Sequence, residues 1–133
     1  MIGLDSNVLV RYLTQDDPVQ SRKANQLVEQ ALRAGESLYL NHVVMCEMSW
    51  VLARPYNYDR AELADAIEKI LGAAQFEFED KNSLWQALAG LRQSNADFAD
   101  CLIGAKNAWA GCTSTLTFDK RAGGLPQFSL GVS

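Results

Sequence analysis

The sequence has no uninterrupted stretch of about 18 uncharged apolar residues, so we expect no segment that crosses a lipid bilayer. Its first ten residues carry no basic flank ahead of the first apolar side chains. Asp5 also interrupts this stretch too early for a secretory signal. These absences lead us to expect a cytoplasmic protein.

Cysteine and histidine are both scarce. The three cysteines, Cys46, Cys101 and Cys112, form no CxxC pair and lie among apolar neighbours, so we interpret them as reduced core residues. His42 is the only histidine, and no spaced cysteine pair lies beside it. The sequence therefore disfavours a zinc site.

Basic residues are in the minority. The sequence has 12 Lys and Arg residues and 16 Asp and Glu residues, which gives a net charge of -4 and a pI of about 4.9. Taken alone, this balance argues against a nucleic-acid partner. The length of 133 residues and the hydrophobic content of 48% predict a single domain over residues 1–133. Such a chain can bury a core without disulfide or structural-metal support.

Short apolar runs alternate with helical patterns along the chain. Candidate strands lie at residues 2–4, 37–40, 76–79, 113–118 and 128–130. Candidate helices lie at residues 8–13, 18–34, 43–53, 59–71, 82–93 and 96–110. This order predicts an α/β fold, a three-layer α/β/α domain with a central parallel sheet.

Local signals fix several helix ends. Asp17 followed by Pro18 predicts a capped helix start, and Asp59 with Glu62 three residues later is typical of a capping box. Residues 43–53 are apolar nearly all round, which predicts a helix buried on most sides.

Acidic residues follow the ends of the predicted strands. Asp5 ends the first strand, Glu47 lies early in the helix after the second, and Asp119 follows the fourth. Asp97 and Asp100 lie three residues apart near the start of a helix, so they share one face. Since ligands collect at the carboxyl ends of parallel strands, we expect these carboxylates to converge there.

Simpler roles are open for some of these acids. Asp97 alone suits a helix cap, and Asp119 alone suits a turn. Asp5 ends what should be a buried central strand, and Glu47 is the only charge in an apolar helix segment. Buried carboxylates need a partner, so these two acids favour a functional cluster.

A hard divalent cation explains such a cluster. Two carboxylates about 5 Å apart repel by roughly 3 kcal/mol at an effective dielectric constant of 20, and a bound cation reverses this. Oxygen ligands without histidine or cysteine favour Mg²⁺ or Mn²⁺. A metal-activated water then makes phosphodiester hydrolysis the favoured chemistry.

The proposed ligands also bear on the acidic pI. If the five proposed ligands are left out of the count, 11 acidic and 12 basic residues remain. These ligands are Asp5, Glu47, Asp97, Asp100 and Asp119. This near balance largely removes the objection to a nucleic-acid substrate. Candidate phosphate contacts are Arg11, Lys106, Lys120 and Arg121, for which ordinary solvated surface positions are an equal alternative.

Four elements together resemble a PIN domain. They are Asp5-Ser6-Asn7, Glu47 in its apolar helix, the stretch DFADCLIGA at residues 97–105, and Thr117-Phe118-Asp119. Their order and spacing, and the total length, are similar to those of the VapC ribonuclease toxins of bacterial toxin–antitoxin pairs. The resemblance covers almost the whole chain.

The resemblance implies a site residue by residue. It implies that Asp5, Glu47, Asp100 and Asp119 form the catalytic acidic quartet that holds Mg²⁺ or Mn²⁺, with Asp97 as an accessory acid. It also implies that Asn7 orients Asp5 and that Thr117 supports Asp119. Two departures, Ser6 where the family commonly has threonine and Gly104 where it has alanine, keep the hydroxyl or small character of the site.

The resemblance further implies endonucleolytic cleavage of RNA, a homodimer, and inhibition by a cognate VapB-like antitoxin. The apolar segment 43–52 with Trp50 suits a dimer seam or an antitoxin groove, although we expect most of it to be core. We also expect Trp85 and Trp109 to be core residues.

Two other functions are compatible with parts of the pattern. A doubly wound phosphatase or phosphoacceptor domain also uses an aspartate after its first strand, here Asp5, but usually wants a second acid where this chain has Asn7. A non-catalytic PIN-like binding module is the other alternative, which the complete quartet disfavours.

Overall fold

The computed structural model describes residues 1–131, which form short parallel strands and longer helices. In chain order the elements are β1 (Ile2–Gly3), α1 (Ser6–Thr14), α2 (Pro18–Arg33), β2 (Leu38–Leu40), α3 (His42–Ala53), α4 (Arg60–Gly72), β3 (Phe76–Phe78), α5 (Lys81–Gln93), α6 (Phe98–Trp109), β4 (Thr115–Thr117), a 3-10 turn (Ala122–Gly124) and β5 (Phe128–Leu130). The predicted alternation of strands and helices is therefore confirmed.

Every strand pairing in the described residues is parallel. One sheet has the order β1-β2-β3, in which Ile2 pairs with Leu38 and Leu38 with Phe76. In a second sheet β4 pairs with β5, with Thr115 opposite Phe128. The α/β class with parallel strands is confirmed. Long crossovers through two helices each connect β1 to β2 and β2 to β3, as strands that run in the same direction require.

The expectation of a buried central first strand is wrong. β1 lies at the edge of its sheet, and both of its residues are exposed. The two-residue length of this strand leaves little apolar surface to bury. Asp5 therefore follows an exposed edge strand.

The chain divides into two compact units. The first unit comprises Met1–Tyr58 and Gly72–Glu79, and the second comprises Asp59–Leu71 and the chain from Asp80 onward. In the first unit, β2 and α3 supply fully buried side chains, among them Leu38, Leu40, Met45, Met48 and Leu52.

Capping residues start the helices of the first unit. The Asp17 carboxylate accepts hydrogen bonds from the N–H groups of Val19 and Gln20, at 3.1 and 2.9 Å, and Pro18 occupies the first helical position. The predicted start of α2 is confirmed, because the aspartate satisfies amides that the helix itself leaves without a partner. Asn41 caps α3 in the same way through the N–H of Val44.

The prediction that α3 is buried on most sides is partly wrong. Met45, Met48 and Leu52 are fully buried, but Val43 is 67% exposed and Trp50 is 52% exposed. Val43 and Trp50 are seven residues apart and so lie on one face of the helix. The apolar pattern predicted the helix but not which of its faces is covered.

In the second unit, α4 begins with the predicted capping box. The N–H of Asp59 donates to Glu62 Oε1 at 3.1 Å, and the N–H of Glu62 donates to Asp59 Oδ1 at 2.8 Å. α5 packs against α6, and Leu84 and Leu88 of α5 and Phe98 of α6 are buried. These two helices place the acids of residues 97–100.

Several residues expected in the core are exposed. Trp109 is 80% exposed and Trp85 is 39% exposed, so both predictions are wrong. The three cysteines are reduced as predicted, but only Cys101 is buried, whereas Cys46 is half-buried and Cys112 is exposed. Periodicity fixes which residues share a helix face, and tertiary packing decides whether that face is covered.

Among the helices of residues 1–131, none combines the length and the apolar character needed to cross a bilayer.

Candidate active site

Asp5 lies at the N-terminus of α1, in the first unit. Its Oδ1 accepts a hydrogen bond from the N–H of Ser6 at 2.7 Å, and the Ser6 hydroxyl lies 3.4 Å away. Asp5 is exposed and acts as the N-cap of α1. Ser6 thus fixes the carboxylate, while the orienting role predicted for Asn7 stays a prediction.

Glu47 lies on α3, also in the first unit. Its side chain is half-buried, beside the fully buried Met48. The sequence pattern predicted a more deeply buried carboxylate, because it predicted an α3 covered on most sides. Partial exposure leaves this carboxylate accessible to solvent ions.

Asp97 and Asp100 lie at the start of α6, in the second unit. Asp97 is the N-cap residue, yet its side chain makes no capping hydrogen bond, and Asp100 lies in the first turn. Both side chains are half-buried. The capping role that was open for Asp97 is therefore not the role of its carboxylate in this structure.

Asp119 follows β4 in the same unit. Its Oδ1 accepts hydrogen bonds from the N–H groups of Arg121 at 2.8 Å and Ala122 at 3.3 Å. The Thr117 hydroxyl accepts a hydrogen bond from the N–H of Asp119 at 3.0 Å. Thr117 thus contacts the main chain of Asp119 and not its carboxylate. The turn holds the carboxylate in one orientation.

Electrostatics connect three of the acids. Burial raises the pKa of Asp100 above the ordinary carboxyl value, and the negative charges of Asp97 and Asp119 raise it further, against a smaller opposing effect of Arg121. The second unit therefore brings Asp100 within range of the negative charges of Asp97 and Asp119.

Asp119 differs from Asp100 because it already has partners. The N–H groups of Arg121 and Ala122 lower the pKa of Asp119, and the Arg121 guanidinium, 3.6 Å from Oδ2, lowers it further. Arg121 was predicted only as a candidate phosphate contact. Its position two residues after Asp119 is the signal that could have predicted this ion pair.

The donor chemistry of this cluster fits a hard cation, because all three side chains offer carboxylate oxygens. Within residues 1–131, however, no group of three or more His, Cys, Asp and Glu side chains has an arrangement that would hold a metal ion. Asp97 and Asp119 thus affect the pKa of Asp100, although the three carboxylates are not arranged as a set of ligands around one ion.

Other candidate groups have structural partners. Arg11 donates to Asp16 at 3.1 Å and to the Tyr56 hydroxyl at 2.9 Å. His42 is buried, with Nδ1 3.6 Å from Glu79 Oε2, as suits a core histidine rather than a zinc ligand.

Cys101 follows Asp100 directly on α6. Burial raises the pKa of its thiol to about 11. At neutral pH this residue is a thiol, and the thiolate needed for nucleophilic catalysis is scarce. Cys101 is therefore not a candidate nucleophile of this site.

Comparison with known proteins assigns the family. The PIN domain family model matches residues 2–126, and the chain belongs to the PIN domain family. The match contains all five acids predicted for the site. Among curated proteins, the chain is similar to the VapC ribonuclease of Aquifex aeolicus (strain VF5), with 26% identity over 119 residues. This alignment covers 89% of the chain and 87% of that relative. No solved structure gave a significant match.

Proposed function

We propose that this protein is a Mg²⁺- or Mn²⁺-dependent endoribonuclease and the toxin of a toxin–antitoxin pair. The observation that carries the proposal is the placement of three carboxylates in one unit, where Asp97 and Asp119 lie near enough to raise the pKa of Asp100, in a chain of the PIN domain family. The similarity to a protein named VapC ribonuclease supports RNA as the substrate.

The proposed metal ligands are Asp5, Glu47, Asp100 and Asp119, with Asp97 as an accessory acid. The effect of Asp97 and Asp119 on the pKa of Asp100 supports the part of this set that lies in the second unit. Asp5 and Glu47 enter the proposal on the sequence pattern and the family match.

Each acid brings a different property to the site. Asp119 is held in a fixed orientation by two main-chain N–H groups, so little reorganisation is needed when a cation binds. Asp100 ionises reluctantly beside its neighbours, so a cation that offsets their charge is strongly favoured there. When bound, Mg²⁺ or Mn²⁺ supplies a water of lowered pKa and positive charge that stabilises an attacked phosphodiester.

Arg121 suits a second role in this scheme. Its side chain is 66% exposed and pairs with Asp119 at 3.6 Å. An exposed guanidinium can exchange a carboxylate for a phosphate oxygen without a burial cost. We propose that Arg121 contacts the RNA backbone when Asp119 takes part in metal binding.

The remaining parts of the proposal concern assembly. We propose that residues 1–133 act as one domain, that the protein forms a homodimer in the cytoplasm, and that a VapB-like antitoxin inhibits it. The exposed apolar face of α3, Val43 and Trp50, supports a protein-binding surface of this kind.

The test of the activity compares the protein with Asp5→Asn and Asp100→Asn variants on structured RNA, in Mg²⁺ and in EDTA. We expect each substitution to slow cleavage by about 100-fold or more, because a lost ligand removes several kcal/mol of transition-state stabilisation. Asp65→Asn is the matched control, since Asp65 is an exposed partner of Arg92 and should leave the rate unchanged. Equal cleavage by all four proteins would point to a contaminant.

Two further measurements separate the alternatives. A phosphoacceptor domain would carry alkali-labile phosphate on Asp5 after treatment with a phosphodonor, and we expect none. A toxin should arrest growth when expressed, and a neighbouring small gene product should relieve the arrest. Growth unaffected by a cleaving protein would favour a housekeeping nuclease.

A further inference from the structure

The segment that connects α5 to α6 leads directly into Asp97 and Asp100. The side chain of Arg60, about 30 residues earlier in the sequence, hydrogen-bonds to the main chain of this segment. Nη2 of Arg60 donates to three main-chain carbonyl oxygens, those of Leu91 at 2.8 Å, Ser94 at 2.8 Å and Ala96 at 2.7 Å. The last of these residues directly precedes Asp97.

These carbonyls are ones that need an external partner. Leu91 lies in the last turn of α5, and Ser94 is its C-cap in an extended conformation. The last carbonyls of a helix have no partner within it, and a guanidinium at this end also complements the helix dipole. Arg60 thus caps the C-terminal end of α5 and holds the main chain of residues 94–96 in place.

The Ser94 side chain forms hydrogen bonds inside the same connecting segment. Its hydroxyl donates to the carbonyl of Gly90 at 2.7 Å and accepts from the N–H of Ala96 at 3.1 Å. Ala96 is fully buried. Both polar main-chain groups of Ala96 are therefore bound, its N–H by Ser94 and its carbonyl by Arg60.

The position of Arg60 on its own helix is an unfavourable one for a cation. Arg60 is the first residue of α4, where the helix dipole disfavours positive charge. The capping box of Asp59 and Glu62 already satisfies the start of this helix. The three carbonyl contacts give Arg60 a role that helix formation does not require.

We propose that Arg60 is a positioning residue of the metal site. It holds residues 94–96 so that Asp97 and Asp100 leave the start of α6 at a fixed distance from Asp119. The inference rests on the proposed function, since it assigns Arg60 to the same acids. Metal affinity should therefore depend on a side chain that is not itself a ligand.

Arg92 provides a matched control in the same unit. Its guanidinium pairs with the side chains of Glu68 at 3.0 Å and Asp65 at 3.2 Å, both of them exposed. These contacts lie between helix surfaces and do not involve residues 94–96. Loss of this arginine changes the local charge by the same amount as loss of Arg60.

The test measures Mn²⁺ binding by calorimetry for the full chain and for Arg60→Lys, Arg60→Met and Arg92→Met. We expect Arg60→Met to bind Mn²⁺ about 10-fold more weakly, as is typical when an outer partner of a ligand is lost. Arg60→Lys should fall between, because its compact ammonium keeps the positive charge and the N–H donors but lies on a side chain one atom shorter, so it cannot take the position from which Nη2 contacts all three carbonyls. Arg92→Met should bind like the unchanged protein.

A readout of cleavage separates positioning from general stability. In Arg60→Met the Mn²⁺ concentration for half-maximal cleavage should rise in parallel with the dissociation constant, while cleavage at saturating Mn²⁺ largely recovers. A purely structural role would lower the unfolding temperature and the active fraction, with an unchanged half-maximal Mn²⁺ concentration. Unfolding curves show that each variant is folded at the assay temperature, and if Arg60→Met does not fold, Arg60→Lys decides.

The outcomes distinguish this inference from the proposed function. If the unchanged protein binds no Mn²⁺, the proposed metal-dependent function is wrong. If it binds Mn²⁺ and the folded Arg60 variants bind as tightly as Arg92→Met, the positioning role is wrong and the proposed function stands.

Discussion

Asp100 ionises in a place where ionisation costs stability. Its folded pKa is raised by burial and by Asp97 and Asp119, above the ordinary value of about 3.9. The folded state therefore binds more protons than the unfolded state, and stability falls as the pH rises from about 3.9 through the folded pKa. Above that range the loss stays constant.

Asp100→Asn should consequently stabilise the metal-free protein at pH 7. We expect a gain below about 1 kcal/mol, because the carboxylate is partly screened by solvent, and thus a rise in unfolding temperature of at most about 4 °C. The gain should vanish below about pH 3.9, where Asp100 is neutral in both states. Thermal unfolding across this pH range, in EDTA, measures it.

Mn²⁺ should reverse the order of the two proteins. A ligand that binds only the folded state stabilises it by about 2.7 kcal/mol at 100 times its dissociation constant, and the variant lacks one proposed ligand. An equal Mn²⁺-induced rise in both proteins would contradict the assignment of Asp100 as a ligand.

Gly104 has a packing role that its small size alone does not reveal. A Cβ atom added at this position of α6 would lie 2.6 Å from Cε2 of Phe128 and 3.3 Å from Cβ of Gln127. We expect Gly104→Ala to destabilise the protein by about 1 kcal/mol, because this overlap outweighs the helix propensity of alanine. Denaturant unfolding provides the measurement.

Two variants test the cause of this loss. Phe128→Leu removes the ring, so Gly104→Ala in that background should be neutral or stabilising. Gly72→Ala, at the end of α4 with no atom within 4 Å of the added Cβ, should not destabilise. If Gly104→Ala and Gly72→Ala behave alike, the proposed contact with Phe128 has no energetic effect.

Helix starts were the elements most fully predictable from the sequence. Asp17 with Pro18, and Asp59 with Glu62, act through main-chain groups two or three residues away, and both predictions are confirmed. Asp59→Ala should cost about 1 kcal/mol, because the N–H of Glu62 loses its acceptor. Asp59→Ser keeps an acceptor and should retain most of that energy. An alanine variant as stable as the serine variant would contradict the capping role.

Burial was less predictable at the element scale. The apolar residues of α3 and α6 include Trp50, which is 52% exposed, and Trp109, which is 80% exposed. Spacing along a helix defines its faces, but only contacts from distant residues decide which face is covered. The same limit applies to Arg60, whose acceptors lie 31 to 36 residues further along the chain.

Only part of the candidate site's geometry could be predicted from the sequence. The sequence predicted that five carboxylates converge, and the raised pKa of Asp100 agrees with this for Asp97 and Asp119, while the convergence of Asp5 and Glu47 with them stays a prediction. It did not predict that Asp5 caps α1 at an exposed edge strand, because a short apolar run does not reveal its place in a sheet. It also did not predict the Arg121 ion pair.

The net charge of the whole molecule bears on RNA binding. A net charge of -4 predicts few contacts with phosphates beyond the metal site. Each phosphate contact contributes about 0.7 to the slope of log affinity against log salt for single-stranded RNA, so we expect a slope of magnitude about 2 or less. Fluorescence anisotropy with a phosphorothioate RNA in Mg²⁺ measures this slope.

The control titration replaces Mg²⁺ with EDTA. Affinity should then fall, because no cation offsets the acidic side chains that face the substrate. A steep slope that persists in EDTA would indicate a basic RNA-binding surface and contradict the metal-centred interpretation.

The order in which the chain supplies its two units has a practical consequence for protein engineering. The first unit takes its last strand, β3, from Gly72–Glu79, after the chain has already begun the second at Asp59. A fragment that stops at Tyr58 would leave the outer edge of β2 without its neighbour. No single break in the chain separates the two units, and circular permutation does not help because their segments alternate along the sequence. A split-protein reporter cut after Tyr58 would therefore need a second copy of β3 in its first fragment.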